Sequence, residues 1–344
     1  MTVLVTGSNG FIGAAVVERL LARGRRDVRA LVRGGSNRRR LESLRDRYPD
    51  VPFEIFEGSI ASEEAAAKAL AGVQTVYHLA ASLRGTPADM CLNTVVTSKN
   101  MLAAMARMAE PPRMVLVSSF GVYGVSDLPR GAMVDEDTPI EDKPTLRDVY
   151  SLTKLRQEQL FWEAHREGQS GKRPAFEMVV LRPGAVYGPG TGAFSGRVGI
   201  QLPGIFLFLG GDNLLPLTYV DNCAEATVLA GETEGNDGQV YNVVDDDLPT
   251  CRDYLQRFRR DVRPVRSLRV PYPLLWVGSH AVAWYHDHSG GQLPAIFTPY
   301  KTASMWKGNR FSNAKLKALG WRPLVGTDEG LERTFVHHRD ESAA

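Results

Sequence analysis

TVLVTGSNGFIG, residues 2–13, combines an apolar run typical of a buried strand with three glycines at regular spacing. The helix-forming run 14–23 follows, so the order is strand, glycine turn and helix. In that setting Gly7 allows a tight turn, Gly10 leaves room for a phosphate close to the backbone, and Gly13 permits close packing of the helix on the strand. The N–H groups at the start of the helix can then bind the phosphate. The spacing is G-x-x-G-x-x-G rather than G-x-G-x-x-G, but its position between strand and helix predicts a phosphate-binding loop rather than an ordinary turn.

Composition sets the broad class of the protein. The chain has 344 residues with 43% hydrophobic content, enough for one large α/β domain with an extension or for two domains. Its 41 basic and 39 acidic residues give a net charge of +2, which offers no reason to expect nucleic acid or an anionic membrane as a partner. Three widely spaced cysteines without C-x-x-C spacing predict neither a disulfide framework nor a zinc site. With an apolar strand from residue 2 and no long apolar run, we expect no signal peptide, no membrane span and a cytoplasmic location.

Strand and helix signals alternate through the first half of the chain. This alternation predicts an α/β fold with a doubly wound parallel sheet, whose ligands bind beyond the carboxyl ends of the strands. Gly7, Arg33, Ala80 and Ser119 each follow a predicted strand and should therefore converge. The last hundred residues contain few strand signals and are predicted to form a smaller, mainly helical lobe. The predicted strands after the first are 28–32, 53–57, 75–79, 114–118, 178–182, 215–220 and 239–244.

Tyr150 and Lys154 are four residues apart, so on a helix they share one face. A free phenol titrates near pH 10 and is a poor acid or base at neutrality unless a fixed positive charge favours its ionised form. Lys154 can supply that charge. The spacing of Tyr150 and Lys154 therefore predicts a proton-transfer site.

Several blocks occur in an order that resembles the extended short-chain dehydrogenase/reductase family. That group includes nucleotide-sugar epimerases and dehydratases, steroid dehydrogenases and dihydroflavonol-reductase-like enzymes. The resemblance runs nearly end to end and implies a Rossmann domain over residues 1–187 and 216–247 that binds NAD(P). It also implies a substrate-binding lobe over residues 188–215 and 248–344. The matching blocks are 6–13, 78–81, Asn93, 117–124, Tyr150 with Lys154, 181–189, 219–222, Lys315 and 319–323.

The resemblance assigns catalytic roles. It implies that Tyr150 donates a proton to the nascent alkoxide in reduction or accepts one from a hydroxyl in oxidation. Lys154 would lower the pKa of Tyr150 and bind the ribose beside the nicotinamide, and Ser119 would hydrogen-bond the reacting oxygen. Ser118 is a rival for the role of Ser119. Asn93 is a further catalytic candidate, although an asparagine in a helix can simply hydrogen-bond the backbone.

The cofactor prediction depends on the end of the second strand. An acidic residue there would bind the adenine ribose, as in NAD-binding proteins, whereas an arginine suits a 2′-phosphate. Arg33 therefore favours NADP(H), with NAD(H) possible, although it could also be a solvent-facing loop arginine. Where many members have an aspartate that lines the adenine, this chain has Gly58-Ser59-Ile60, which puts that contact in doubt. The predicted cofactor-binding residues are Gly7, Asn9, Gly10, Phe11, Ile12, Gly13, Arg33, Ser59, Ile60, Leu79, Ala80, Ala81, Ser118, Tyr150, Lys154, Pro183, Gly184 and Val186.

The resemblance also predicts which reaction the enzyme catalyses. Phe120-Gly121 replaces the Asp-Glu pair that sugar dehydratases of this family use, so dehydration is disfavoured. Carbonyl reduction or secondary-alcohol oxidation needs only Ser119, Tyr150 and Lys154 and is the predicted chemistry. A nucleotide-sugar epimerase, which recycles a tightly held NAD, is the alternative, and a catalytically silent NADP-binding sensor is a third hypothesis.

The substrate class is predicted from apolar residues, and the oligomeric state from the resemblance. An apolar set suits a small lipophilic or aryl substrate, although such residues equally form cores. The set comprises Phe194, Phe206, Phe208, Leu209, Tyr285 and Phe297. His286-Asp287-His288 lacks an evident third ligand and is predicted to be an exposed loop rather than a metal site. Family resemblance further implies a homodimer through the helices that contain Asn93 and Tyr150.

Overall fold

The computed structural model describes residues 2–288 and 298–343. Its strands are β1 (Thr2–Thr6), β2 (Val28–Val32), β3 (Glu54–Glu57), β4 (Val73–His78), β5 (Arg113–Val117), β6 (Met133–Val134), β7 (Met178–Pro183), β8 (Ala185–Tyr187), β9 (Gly199–Leu202), β10 (Ile205–Phe208), β11 (Leu217–Tyr219), β12 (Gln239–Val243), β13 (Ser267–Arg269) and β14 (Arg310–Phe311). Its helices are α1 (Phe11–Ala22), α2 (Arg39–Arg47), α3 (Glu63–Leu70), α4 (Pro87–Cys91), α5 (Thr97–Met105), α6 (Val149–Gln169), α7 (Val220–Glu232), α8 (Cys251–Asp261), α9 (Tyr272–His288), α10 (Pro299–Trp306), α11 (Ala314–Ala318) and α12 (Thr327–Ala343).

Seven parallel strands form the main sheet in the order β12-β7-β5-β4-β1-β2-β3. The strand order reverses next to β1, which pairs with β2 on one side and β4 on the other. Such a switch point opens a crevice at the carboxyl ends of the strands, where ligands bind in this fold. The predicted doubly wound parallel (Rossmann) sheet is confirmed.

Helices cover both faces of this sheet, which explains the continuous apolar runs of its strands. Successive strand residues point to opposite faces, so Val3 and Val5 pack into one core cluster while Leu4 packs into the other. The first cluster includes Val16 and Leu20 of α1. This packing fixes the start of α1 at the end of β1, where the glycine turn lies.

The strand boundaries of the main sheet were predicted to within two residues, and one predicted strand outside that sheet is shorter than expected. The predicted strand 215–220 is a three-residue strand, Leu217–Tyr219, and Val220 already begins α7. This strand pairs with β8 outside the main sheet. Asp221 in the first turn of α7 suits the positive end of the helix dipole, which favours the helix from this point.

The remaining residues form small sheets and a run of helices. β13, β10 and β9 make a three-stranded sheet, and two-stranded pairs join β11 to β8 and β14 to β6. Leu316 and Trp321 join the core of the main sheet, so the last hundred residues do not all pack apart from it. The division of the chain into two domains stays a prediction. Within the described ranges, no helix has the combined length and apolar character that crossing a bilayer requires.

Two predictions for the C-terminal half need correction. His286 and His288 lie in the last turn of α9 and not in a loop, and two residues apart on a helix they face different directions. Phe206, Phe208 and Leu209 are buried in core clusters and do not form a pocket wall, because their neighbours are other apolar side chains. Phe194 packs against Phe206, whereas Tyr285 is exposed. Phe297 lies outside the described residues.

Candidate active site

The glycine turn has the shape that a phosphate-binding loop requires. Gly7 has a φ of 66°, a conformation that side chains disfavour. A Cβ on Gly13 would lie 2.1 Å from the Gly7 carbonyl oxygen, so only glycine allows this approach of helix to turn. Gly10 precedes α1, and no side chain caps the start of that helix. The N–H groups of its first turn are therefore available to an anion, and the turn fits a dinucleotide.

Ser119 and Tyr150 meet at the end of β5. Tyr150 is in the first turn of α6, whose N-terminus is fixed by the Asp148 carboxylate accepting from the Ser151 N–H at 2.9 Å. Burial raises the pKa of the Tyr150 phenol, hydrogen bonding to Ser119 opposes that rise, and the charge of Asp148 adds to it. The phenol is therefore neutral at neutral pH and in contact with the Ser119 hydroxyl.

Ser118 points elsewhere. Its hydroxyl donates to the Glu158 carboxylate, which also forms an ion pair with Arg182 at 2.5 Å. Trp162 donates to the same carboxylate. Ser118 therefore belongs to a buried structural cluster, and Ser119 is the serine that faces Tyr150.

Lys154 is held in the core below Tyr150. Its ammonium donates to the Val117 carbonyl at 2.6 Å and to the Gln157 side-chain oxygen at 2.5 Å. Only 3% of the residue is exposed, and burial lowers the pKa of Lys154 to about 8, opposed by the charge of Glu158. The net pKa of the Tyr150 phenol is raised because burial outweighs the other effects, and the lowering of that pKa by Lys154 stays a prediction.

Gln157 connects Lys154 to a buried polar network that the sequence did not reveal. Its amide nitrogen donates to Ser98 Oγ at 2.9 Å and lies 3.2 Å from His78 Nε2. His78 Nδ1 lies 2.9 Å from Thr6 Oγ1, which also accepts the N–H groups of Leu79 and Ala80. Because Thr6 has used its lone pairs on those N–H groups, its hydroxyl must donate to His78. Burial and the charge of Lys154 lower the pKa of His78 to about 3, so the imidazole is neutral.

At the other end of the predicted cofactor groove, Arg33 and Asn93 contact one another. Arg33 donates to the Asn93 side-chain oxygen at 3.0 Å, and the Asn93 amide donates to the Asp89 carbonyl at 2.8 Å. Asn93 lies in a π-helical turn, Leu92–Val96. The structure thus places Asn93 with Arg33 and the backbone, not with Ser119 and Tyr150. Arg38 forms an ion pair with Glu57, an acid at the end of β3 that the sequence analysis did not identify.

The other predicted cofactor residues follow the ends of main-sheet strands. Asn9, Phe11 and Ile12 belong to the glycine turn and the start of α1, and Leu79, Ala80 and Ala81 follow β4. Ser59 and Ile60 follow β3, where the Ser59 hydroxyl accepts from the Ala61 N–H. Pro183 ends β7, and a Cβ on Gly184 would lie 2.3 Å from the Pro216 carbonyl oxygen. Val186 lies in β8.

A cavity of about 520 Å³ lies near the N-terminus of α6, with Leu146, Trp276, Tyr300 and Ala303 in its wall. Neither Ser119 nor Tyr150 lines this cavity. Within the described part of the chain, no group of three His, Cys, Asp or Glu side chains could hold a metal ion.

Comparisons with known proteins identify the family of this chain. Residues 3–243 match the NAD dependent epimerase/dehydratase family. The chain is 27% identical to sterol-4-alpha-carboxylate 3-dehydrogenase, decarboxylating, from Bos taurus, over 97% of this chain and 92% of that protein. It is 31% identical to a 4-hydroxy-2-methyl-3-oxo-4-farnesyl-3,4-dihydroquinoline-1-oxide ketoreductase from Stigmatella aurantiaca, over 74% of this chain and 71% of that protein. The structure of UDP-glucose 4-epimerase from Thermus thermophilus in complex with NAD matches with a TM-score of 0.69 and 25% identity, covering 98% of this chain and 99% of that one. The chain therefore belongs to the NAD dependent epimerase/dehydratase family, as an enzyme of the extended short-chain dehydrogenase/reductase group.

Proposed function

We propose that this oxidoreductase transfers hydride reversibly between a nicotinamide cofactor and a carbonyl or secondary alcohol of a small lipophilic substrate. The observation that carries the proposal is the contact of Ser119 with a neutral Tyr150 phenol above the buried Lys154 ammonium. Bound in the groove, the nicotinamide supplies or accepts the hydride. All other steps belong to side chains of the protein.

Negative charge develops on the substrate oxygen as the carbonyl is reduced. Ser119 donates a hydrogen bond to that oxygen, and Tyr150 transfers its proton to it. Because burial raises the pKa of Tyr150, the phenol carries this proton at neutral pH, which suits reduction. In the oxidative direction, Tyr150 must first lose its proton, so the rate of oxidation should rise at alkaline pH.

A lipophilic substrate is supported by the relatives and by the apolar wall of a cavity near the N-terminus of α6. Two of the related enzymes are named for a sterol carboxylate and a farnesylated dihydroquinoline oxide, both largely apolar molecules. Leu146 and Trp276 line the cavity beside α6. The alternative, a nucleotide-sugar epimerase, is supported by the match to UDP-glucose 4-epimerase.

A substrate panel separates the two functions. Aryl and alicyclic ketones would be incubated with NADPH or NADH, and sterol alcohols and UDP-sugars with NADP⁺ or NAD⁺. Cofactor absorbance and sugar products would be followed. We expect ketones or sterols to change the cofactor absorbance stoichiometrically. Conversion of a UDP-sugar to its epimer without net cofactor consumption would instead establish the epimerase.

We further propose that NADP(H) is preferred, because Arg33 is exposed at the end of β2 with Arg38 close in the chain. Arg33→Ala should weaken NADPH binding by about 1–3 kcal/mol, a lost charged hydrogen bond, and leave NADH binding unchanged. Arg45→Ala, an exposed arginine on α2, is the control. Fluorescence titration of both cofactors measures the effect, and a wild type that binds NADH more tightly contradicts the proposal.

A further inference from the structure

Helix α9 is apolar on the side that faces away from the protein. On its inner side, Leu275 packs into a core cluster with Trp306 of α10, and Ser279, one turn later, is also buried. The outer side carries four large apolar residues at positions i, i+3, i+10 and i+11, which form one stripe along a helix. These residues are between 43% and 67% exposed and form the exposed face of α9: Leu274, Val277, Trp284 and Tyr285.

This composition is unusual for a helix that meets water. Residues 272–286 contain no Asp, Glu, Lys or Arg, so neither side of the helix has the charged residues of a solvated surface. A helix that is apolar all round is normally buried all round, whereas protein covers only the inner side of α9. Contiguous exposed apolar surface marks a site of interaction. The exposed face of α9 therefore calls for an apolar partner.

The small three-stranded sheet extends this apolar surface. Leu207 of β10 belongs to the same core cluster as Leu275, so α9 packs on the face of the sheet that carries Leu207. Leu207 pairs with Leu268 of β13, and one pleat earlier Ile205 pairs with Leu202 of β9. Residues that are paired across strands or two apart on a strand share a face. Leu202, Ile205 and Leu268 are exposed, so the apolar surface continues from α9 onto the sheet.

A basic segment leads into this surface. Residues 257–269, from the end of α8 through β13, contain six arginines and one aspartate, a net charge of +5 that the total of +2 for the whole chain conceals. Some of these charges are paired, as in the ion pair of Arg260 with Asp261. Arg263 and Arg266 are exposed, and no carboxylate of residues 2–288 and 298–343 lies within ion-pair distance of either. Positive charge is therefore available to a partner beside the apolar surface.

These features together favour an anionic lipid surface as the partner. An apolar helix face with Trp, Tyr and Leu beside arginines is typical of helices that lie in the interface of a membrane. A second copy of the chain fits less well, because docking through this surface would bring two basic segments together. α9 has 17 residues, fewer than the roughly 20 that cross a bilayer, so it would lie along the membrane.

We propose that α9 and residues 257–269 form a docking surface for membranes that contain anionic phospholipids. The exposed face of α9 enters the boundary between headgroups and acyl chains, and Arg263 and Arg266 bind lipid phosphates. The docking does not depend on the proposed reaction. One consequence does: Trp276 of α9 also lines the cavity near the N-terminus of α6, so docking would bring that cavity close to lipids that dissolve a lipophilic substrate.

Sedimentation of the full-length protein with vesicles tests the docking. One set of vesicles is pure phosphatidylcholine, and the other is an equimolar mixture of phosphatidylcholine and phosphatidylglycerol. We expect wild type to bind the mixed vesicles roughly 10–100-fold more tightly, the effect of two arginines near an anionic surface. High salt should remove most of that difference because it screens exposed charges.

Two sets of variants separate the apolar from the basic contribution. Val277→Glu places a charge in the exposed face and should weaken binding to both vesicles by roughly tenfold or more. Val336→Glu, at an exposed valine of α12, is the matched control. Both variants should keep the wild-type unfolding midpoint, since both valines are exposed. The double variant Arg263→Gln/Arg266→Gln should lose only the preference for phosphatidylglycerol.

Tryptophan fluorescence reports insertion directly. Brominated phosphatidylcholine in the mixed vesicles should quench the fluorescence of wild type, and Trp284→Phe should lose much of that quenching while still binding. Quenching that is the same in both proteins would contradict insertion of this face.

The remaining outcomes overturn the proposal. Failure of wild type to bind either vesicle, or equal binding by wild type and Val277→Glu, excludes a membrane as the partner. A wild-type dimer that binds no vesicles and that Val277→Glu dissociates, as measured by light scattering, would instead identify the exposed face of α9 as an interface between copies.

Discussion

Ser118 and Ser119, adjacent at the end of β5, have different contacts because their side chains leave the strand in opposite directions. Ser118 is buried against Glu158, and Ser119 contacts Tyr150. The proposed active site therefore lies next to a structural cluster in which Glu158 neutralises Arg182. That cluster links the end of β5, β7 and α6 beside Ser119.

Tyr150→Phe tests the proton transfer. The change removes only the hydroxyl, so folding and cofactor binding should persist while turnover falls by roughly 10²–10⁴-fold. Steady-state kinetics on the substrate found by the panel, with cofactor titration alongside, measures both effects. Tyr48→Phe, on a tyrosine at the end of α2, should leave turnover unchanged. Near wild-type turnover in Tyr150→Phe would contradict the proton-transfer mechanism and favour the hypothesis of a catalytically silent NADP-binding sensor.

Gln157 should set the pH range in which Lys154 is charged. The ammonium form is present below its pKa of about 8 and is lost as the pH rises through that value. Cofactor affinity should therefore fall above about pH 8 in wild type. Gln157→Leu removes an acceptor and should move the fall to lower pH, whereas Gln157→Glu adds a negative charge and should move it to higher pH. Superimposable curves of dissociation constant against pH for the three proteins would exclude this role.

At the scale of elements, the glycine turn joins β1 to α1 and makes two separate demands on its sequence. Gly13 is required by packing, since a Cβ there would collide with the Gly7 carbonyl. Gly10 has an ordinary φ of −75° and is exposed, and a Cβ there would lie 3.0 Å from the Gly7 carbonyl oxygen, a milder contact than the one at Gly13.

Substitutions at these glycines should separate binding from stability. Gly10→Val should abolish cofactor binding with only a small change in the unfolding midpoint, whereas Gly13→Ala should lower the midpoint as well. Calorimetric titration of NADPH and thermal unfolding measure the two quantities. Normal NADPH binding by Gly10→Val would show that the phosphate does not approach this position.

Sequence patterns predicted these elements because the signals are local. A strand, a glycine turn and a helix are contiguous in residues 2–23, and the i, i+4 spacing of Tyr150 and Lys154 needs only a helix. The missed features are those that depend on contacts between distant segments. Glu57 reaches Arg38 from a neighbouring strand, and Phe206 is apolar whether it lines a pocket or a core. No local pattern separates those alternatives.

At the scale of the whole molecule, the C-terminal segment returns to the main sheet. The Trp321 indole donates to the Asn222 carbonyl at 3.2 Å. The Asn222 side chain accepts the N–H groups of Leu324 and Val325 and donates to Asp245. The family-like block at 319–323 thus anchors the chain end to α7, a role that the sequence did not indicate. A homodimer through the helical segments that contain Asn93 and Tyr150 stays a prediction, which light scattering in solution can check.

Trp321→Ala measures how far the fold depends on this return of the chain. Trp321 is fully buried in the same core cluster as Val5 and Val17, so the truncation leaves a cavity against the main sheet. It should cost about 3–5 kcal/mol in the free energy of unfolding. Trp284, which is 61% exposed on α9, provides a matched tryptophan, and Trp284→Ala should change stability by about 0.5 kcal/mol or less. Urea unfolding followed by circular dichroism gives both values. Similar midpoints for the two variants would mean that the C-terminal segment docks without supporting the sheet, and the buried contacts of Trp321 would then be a consequence of the fold rather than one of its causes.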